Sequence, residues 1–208
     1  MYTNLEKKEV NMKLDIILSG VGGQGILSIA AIIGEAALKE GLHIKQAEVH
    51  GMSQRGGDVQ SNLRISSSEI YSDLIAKGSA DVIISLEPME ALRYLPYLAQ
   101  EGWIVANSVP YVNIPNYPNL ETILQELSSL PNVILLDVDA LAKEAGAARA
   151  SNVVLLGAAS VILDIDHTKL ENAIEQIFSR KGNKIVDVNI KAFRIGRAAG
   201  ENQLKTIV

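Results

Sequence analysis

The chain has 208 residues, a net charge of −5 and 48% hydrophobic residues, so it is long and apolar enough to bury a sizeable core. It contains no cysteine, which excludes disulfides, cysteine nucleophiles and any iron–sulfur cluster held by its own thiolates. The acidic charge balance predicts no electrostatic binding of nucleic acid. The three histidines, His43, His50 and His167, lack the spacing of a zinc site, so no metal site is predicted.

Residues 1–12 are predicted to form a polar tail, and residues 13–208 a single domain. The tail has no apolar signal core. The longest apolar runs fall well short of the roughly 18 residues that a membrane span needs. We therefore expect a cytoplasmic protein with no membrane partner.

The first elements in chain order predict a strand, a helix and a second strand. Residues 14–19 are almost continuously apolar, as in a strand covered on both faces. Residues 24–40 carry apolar residues at helical spacing, and Gly41 follows as a C-cap. Residues 44–49 predict the next strand, which completes a βαβ unit with a right-handed crossover.

The pattern then changes, because residues 58–66 alternate and residues 70–74 form another short candidate strand. We expect a hairpin-like, partly exposed pair at this point. Further strands are predicted at 81–86, 103–107 and 133–137, and helices at 88–98, 122–130, 140–145, 152–163, 168–180 and 188–199. Together these elements predict a three-layer α/β domain with a mainly parallel, Rossmann-like sheet and a short antiparallel excursion.

Residues 20–25, the first glycine loop, read Gly-Val-Gly-Gly-Gln-Gly and fit the spacing of a dinucleotide-binding fingerprint. Such glycines let backbone N–H groups approach an anion at the positive end of a helix. Alternatively, they only allow the strand and the helix to pack closely. An ATP-type loop is disfavoured because no Gly-Lys-Ser/Thr follows. Glu48 stands near the place of an acidic ribose ligand, but it leads into another motif, which argues against a free NAD dehydrogenase.

That second motif, at residues 48–57, reads Glu-Val-His-Gly-Met-Ser-Gln-Arg-Gly-Gly. Its last five residues, the second loop, combine hydrogen-bond donors with two flexible glycines. A loop of this kind can wrap a phosphate or a carboxylate, with Arg55 supplying a bidentate fork. The alternative is a surface turn with a solvated arginine. His50 is either an acid–base residue or a structural hydrogen-bonding group beside the turn.

Polar residues also follow several predicted strands, where the sites of α/β proteins collect. Glu87 and Asn107 are candidates there, although each is equally interpreted as a cap or a turn residue. Asp137 and Asp139 are a candidate carboxylate pair, but Asp139 is the better N-cap for the helix that follows. No nucleophile–base pair is found, so the catalytic residues of this chain stay unassigned.

Taken together, the two motifs resemble the gamma subunit or domain of 2-oxoacid:ferredoxin oxidoreductases, and among these the small subunit of the indolepyruvate type. The resemblance covers nearly everything from about residue 12 to the C-terminus. It includes Glu87-Pro88, Asn107 and the run Asn-Val-Val-Leu-Leu-Gly-Ala at residues 152–158.

The resemblance implies a subunit of an enzyme that oxidatively decarboxylates a 2-oxoacid with coenzyme A. The products are an acyl-CoA and CO2, and two electrons pass to ferredoxin. Thiamine diphosphate and the iron–sulfur clusters then reside on a large partner subunit, which agrees with the absence of cysteine here, and the isolated chain is expected to be inactive. No cofactor is firmly assigned to this chain.

Coenzyme A is the candidate ligand that the resemblance implies for the two loops. As a hypothesis, they hold a phosphate or pyrophosphate with backbone N–H groups and Arg55. The residues carried over are Gly20, Gly22, Gly23, Gln24 and Gly25 in the first glycine loop and Ser53, Gln54, Arg55, Gly56 and Gly57 in the second. Two other classes stay open: a stand-alone nucleotide-binding oxidoreductase, and a structural assembly subunit without a ligand, whose loops serve only the subunit interface.

Overall fold

The computed structural model describes residues 12–50 and 56–207, without the side chain of His50. The strands are Lys13–Val21 (β1), His43–His50 (β2), Asp58–Ser66 (β3), Ala80–Ser85 (β4), Leu98–Asn107 (β5) and Val133–Leu136 (β6). The helices are Ile26–Lys39 (α1), Pro88–Arg93 (α2), Leu120–Ser128 (α3), Val138–Glu144 (α4), Ser151–Ala159 (α5), His167–Phe178 (α6) and Asn183–Ile207 (α7). Leu95–Tyr97 and Ser179–Lys181 are one-turn 3₁₀ helices.

The six strands form one sheet in the order β2-β3-β1-β4-β5-β6. Strands β1, β4, β5 and β6 are parallel neighbours, whereas β3 is antiparallel to both β1 and β2. Consequently β2 runs in the same direction as β1 but is separated from it by β3. The predicted βαβ unit is therefore split, since its two strands are not adjacent.

The predicted hairpin is wrong in its second strand. Residues 70–74 form no strand, and β3 instead lies between β1 and β2. The backbone of this segment is held by side chains of β3: Arg64 donates to the carbonyls of Ser72 and Leu74, and Asn62 accepts from the N–H of Ile75. These backbone groups are hydrogen-bonded without pairing to a neighbouring strand. The segment therefore covers β3 as an irregular strap.

Helices cover both faces of the sheet, which confirms the three-layer prediction. Helices α1, α4, α5, α6 and α7 contribute to the larger core, with Ile16 and Leu18 of β1. Helices α2 and α3 pack on the opposite face, against Ile17 of β1 and Ile83 of β4. The expected helix at 88–98 stops at Arg93 and continues as a 3₁₀ turn, because Pro96 cannot extend an α-helix.

Helix α5 is apolar on all sides and is buried between the sheet and α7. The two helices touch backbone to backbone. A Cβ atom on Gly157 would lie 2.0 Å from the carbonyl oxygen of Phe193, and one on Gly196 would lie 1.9 Å from that of Val154. Only glycine permits so close an approach.

In the described part of the chain, no helix has the length and apolar character needed to cross a bilayer.

Candidate functional site

The first glycine loop lies at the carboxyl edge of the sheet, where the chain changes sides. Helix α1 follows β1 onto one face, and α2 follows β4 onto the other. Since β1 and β4 are parallel neighbours, their diverging connections open a crevice between their carboxyl ends. Ligands of doubly wound α/β proteins bind at such a position.

Gln24 fixes the shape of this loop. Its Oε1 accepts from the N–H of Val21 at 2.7 Å, and its Nε2 donates to the carbonyl of Leu86 at 3.0 Å. A Cβ on Gly20 would lie 2.8 Å from that same Oε1. Gly20 and Gln24 thus tie the loop to the segment after β4, and the amide of Gln24 is engaged within the protein.

The N-terminus of α1 has no capping side chain. Gly25 is the N-cap in the left-handed conformation, with φ of +87°, and the first turn has no acidic residue. Within residues 12–50 and 56–207, no acceptor is bonded to the N–H groups of Gly23 and Gly25. They adjoin a cavity of about 280 Å³. Its lining consists of Val21, Gly22, Gly23, Gly25, Ile26, Leu27 and Val59.

The fold brings Gly56 and Gly57, the described end of the second loop, against the first glycine loop. The N–H of Gly22 donates to the carbonyl of Gly57 at 2.9 Å, and the N–H of Gly56 donates to the carbonyl of Gly22 at 3.4 Å. Asn113 donates to the carbonyl of Gly56. The other predicted residues of this loop, Ser53, Gln54 and Arg55, lie outside the described residues, as does the side chain of His50.

A second cavity, of about 390 Å³, continues from the first across Gly23. This larger cavity is the crevice between β1 and β4. Arg149 is the cationic side chain in its lining, and it forms no ion pair with the described residues. Helix α5 begins here, with Ala150 as N-cap, no capping side chain and no acid in its first turn. The lining is Gly23, Gln24, Leu86, Asn107, Tyr111, Asp139, Ala148, Arg149, Ser151 and Asn152.

Asn107 connects the ends of β5 and β6. Its Oδ1 accepts from the N–H of Val109 at 3.2 Å and of Val138 at 3.3 Å, so it holds the loops around the crevice. The predicted cap is wrong: Asp137, not Asp139, caps α4 by accepting from Ala140, because the helix begins at Val138. Asp139 instead faces the crevice and accepts from the hydroxyl of Ser151.

Asn152 joins the two uncapped helices. Its Nδ2 donates to the carbonyl of Gly25 at 3.1 Å, and a Cβ on Gly25 would lie 2.7 Å from that nitrogen. The starts of α1 and α5 are therefore fixed against each other. Arg149 was not predicted from the sequence. The feature that could have indicated it is a cationic residue directly before a helix that begins without a capping side chain.

Glu87 has the structural role that the sequence left open. It is completely buried and is the N-cap of α2, accepting from the N–H of Glu90 at 2.9 Å. It also accepts from the hydroxyl of Tyr117. Burial, and then this bond to Glu87, raise the pKa of Tyr117.

In the described part of the chain, no group of three or more histidine, aspartate or glutamate side chains is placed to hold a metal ion.

Comparison with known proteins identifies the family. Residues 15–199 match the family model described as pyruvate ferredoxin/flavodoxin oxidoreductase. The indolepyruvate oxidoreductase subunit IorB of Archaeoglobus fulgidus is 39% identical over 196 residues, covering 89% of this chain and 94% of that protein. The same-named subunit of Pyrococcus horikoshii is 40% identical over 202 residues, covering 91% and 97%.

Solved structures share the fold. The gamma subunit of a keto/oxoacid ferredoxin oxidoreductase from Geobacter sulfurreducens PCA has a TM-score of 0.66 and 26% identity, covering 91% of this chain and 99% of that one. The 2-oxoglutarate:ferredoxin oxidoreductase from Magnetococcus marinus, solved with 2-oxoglutarate, coenzyme A and succinyl-CoA, has a TM-score of 0.73 and 23% identity. The match covers 91% of this chain but 31% of that longer one. The chain therefore belongs to the pyruvate ferredoxin/flavodoxin oxidoreductase family, as its two glycine-containing motifs indicated, and is an oxidoreductase subunit.

Proposed function

We propose that this chain is the small subunit of an indolepyruvate-type 2-oxoacid:ferredoxin oxidoreductase. The complex converts an arylpyruvate and coenzyme A into an acyl-CoA and CO2, and two electrons pass to ferredoxin. Identity of 39% and 40% to two indolepyruvate oxidoreductase subunits, over nearly their whole length, supports this substrate class. A sequence without cysteine supports a large partner subunit that carries the iron–sulfur clusters and thiamine diphosphate. A cytoplasmic location belongs to the same proposal.

Within the complex, the first glycine loop binds a phosphate group of coenzyme A. The observation that carries this role is the pair of uncapped helices at the crevice. Among the described helices, α2, α3, α4 and α6 begin on a side chain that accepts from a backbone N–H, whereas α1, α5 and α7 do not. Of these three, α1 and α5 begin at the crevice. Unpaired N–H groups at a helix N-terminus attract anions through hydrogen bonding and through the helix dipole.

The charges of the site favour the end of the crevice near α1. The described lining of the smaller cavity contains no acidic residue, whereas that of the larger one includes Asp139. Arg149 adds a cation to the shared space. A phosphate therefore fits best at Gly23 and Gly25, with the rest of the ligand extending along the crevice towards Arg149. Arg55 stays a predicted contact.

A pair of glycine variants tests this role in the complex reconstituted with its large subunit. Gly23, with φ of +103°, and Gly41, with φ of +72°, both leave open space for a Cβ within 4 Å. Gly23→Ala and Gly41→Ala therefore both place an alanine at positive φ, at opposite ends of α1. Because alanine disfavours φ of +103°, Gly23→Ala is expected to turn the N–H of residue 23 away from the phosphate. A charge-assisted hydrogen bond contributes about 1.5–3 kcal/mol, so its loss should raise KM for coenzyme A about tenfold. KM for the 2-oxoacid should stay unchanged in both variants.

The outcomes separate the alternatives. If Gly23→Ala and Gly41→Ala have the same KM for coenzyme A as the wild-type complex, the loop is not a phosphate site and the chain is a structural subunit. If the isolated wild-type chain binds NAD(P)H saturably, the stand-alone nucleotide-binding oxidoreductase replaces the proposal. Faster turnover of an aliphatic 2-oxoacid than of indolepyruvate would contradict only the substrate class.

A further inference from the structure

A cluster of ionisable side chains lies on the α2 face of the sheet, next to the second loop. Asp58 opens β3, and Glu90, Arg93 and Tyr94 belong to the α2 region. The hydroxyl of Tyr94 donates to Oδ2 of Asp58 at 2.7 Å. Arg93 donates to both oxygens of Glu90, at 2.6 Å and 3.2 Å. Glu90 is only 3% exposed, so its carboxyl group is held in a fixed position away from solvent.

One oxygen of this cluster lacks an ordinary donor. Oδ1 of Asp58 is buried, and no N–H or O–H of the described residues bonds to it. A buried carboxylate oxygen without a donor destabilises a fold. Glu90 lies one helical turn before Tyr94, whose hydroxyl is bonded to Asp58. The buried carboxyl group of Glu90 can supply the missing donor if it keeps its proton.

The surroundings of Glu90 favour the protonated form. Burial raises the pKa of Glu90 to about 7, the hydrogen bonds from Arg93 act against this, and the charge of Asp58 and a hydrogen bond with it act in the same direction as burial. Burial also raises the pKa of Tyr94 and of Tyr117, and the bond to Glu90 raises that of Arg93. Glu87, at the start of α2, is bonded to Tyr117.

Asp58 is directly connected to the two loops. It follows Gly57, whose carbonyl accepts from the N–H of Gly22, and it pairs with Val21 across the β1–β3 ladder. A displacement of Asp58 therefore displaces the hydrogen bond that joins the loops. We propose that Asp58 and Glu90 share one proton and that this acid pair positions Gly56 and Gly57 against Gly22 of the first glycine loop.

Loss of the shared proton leaves two carboxylates side by side in a buried place, where like charges repel strongly. The hydrogen bonds of Gly56 and Gly57 with Gly22 should then open more often as the pH rises through about 7. The positioning rests on the described contacts alone. Its effect on coenzyme A rests, in addition, on the function proposed above.

Hydrogen–deuterium exchange on the assembled complex tests the pair. In the wild-type protein, protection of the Gly22 amide, corrected for the intrinsic exchange rate, should fall about tenfold between pH 6 and pH 8, because a group titrating near 7 changes its proton occupancy across that interval. Glu90→Gln carries a permanent N–H donor and should keep the same protection at both pH values. Glu126→Gln removes an exposed charge on α3, on the same face of the sheet, and should behave as the wild type.

Wild-type protection that does not change between pH 6 and pH 8, or a Glu90→Gln protein that retains the wild-type change, would overturn the proposal. Asp58→Asn keeps an oxygen for Tyr94 and removes the charge, so it provides the same test if Glu90→Gln does not fold. KM for coenzyme A, measured over the same pH range, separates the two proposals. If protection falls while that KM stays constant, the acid pair is supported and a contribution of the second loop to coenzyme A binding is contradicted.

Discussion

The crevice beside α1 and α5 and the acid cluster beside α2 lie at the same edge of the sheet, but their helix N-termini differ. Helix α2 begins on a buried carboxylate that accepts two hydrogen bonds, one from its own first turn. Helices α1 and α5 begin on Gly25 and Ala150, which offer no such group. A side-chain cap typically contributes about 1 kcal/mol, and α1 and α5 lack that stabilisation beside the crevice. The comparison supports a structural role for the α2 side and agrees with the ligand site proposed at the crevice.

The largest effect on stability is expected at the capped helix. Glu87→Ala removes the cap of α2 and leaves the hydroxyl of Tyr117 without its acceptor, so it should lower the free energy of unfolding by about 2–4 kcal/mol. Urea denaturation measures this change. Glu87→Gln keeps an amide oxygen as acceptor and should lose less than half as much. A loss below about 1 kcal/mol in Glu87→Ala would contradict the structural role of this carboxylate.

An intermediate effect is expected where the two uncapped helices meet. Gly25→Ala places a side chain at φ of +87° and 2.7 Å from Nδ2 of Asn152. It should lower the free energy of unfolding by about 2 kcal/mol and raise KM for coenzyme A in the complex. Asn152→Ala removes the steric clash but not the backbone strain. The double variant should therefore lose less stability than the sum of the single variants, and strict additivity would show that Asn152 does not constrain Gly25.

The smallest changes in stability are expected from adding an acidic residue at either end of α1. Leu27, 44% exposed in the first turn of α1, and Leu38, 61% exposed in its last turn, are matched positions. Leu27→Glu adds the acid that this N-terminus lacks and should stabilise the chain by about 0.5 kcal/mol while raising KM for coenzyme A. Leu38→Glu should destabilise it by a few tenths of a kcal/mol and leave that KM unchanged. Equal KM values in the two variants would contradict an anion site at this helix end.

Local signals in the sequence predicted much of the fold correctly. The apolar run of β1, the glycines after it and the left-handed Gly41 at the end of α1 are properties of short segments. The position of β3 between β1 and β2 depends on partners distant in the chain, and its alternating pattern does not name them. The strap after β3 was mistaken for a strand because the side chains that satisfy its backbone, Asn62 and Arg64, belong to another element.

The site shows the same division. The glycines of the first loop were recognisable because their conformations serve the local turn. Both motifs were identified, but the hydrogen bonds of Gly22 with Gly57 and of Gly25 with Asn152 could not be predicted. They join segments that become neighbours only when the sheet has formed. Asp139 was assigned as a cap because the helix was expected to start later than it does. Arg149 carries no motif, and only the crevice shows what it faces.

The glycine contact between α5 and α7 can form only late in the synthesis of the chain. Helix α5 is apolar all round, and α7, its cover, is the last helix in the described sequence. As the ribosome releases the chain from its N-terminus, α5 emerges before the helix that covers it. Until α7 docks through Gly157 and Gly196, the nascent protein exposes an apolar helix. This interval is when the chain is most prone to aggregate and most dependent on chaperones.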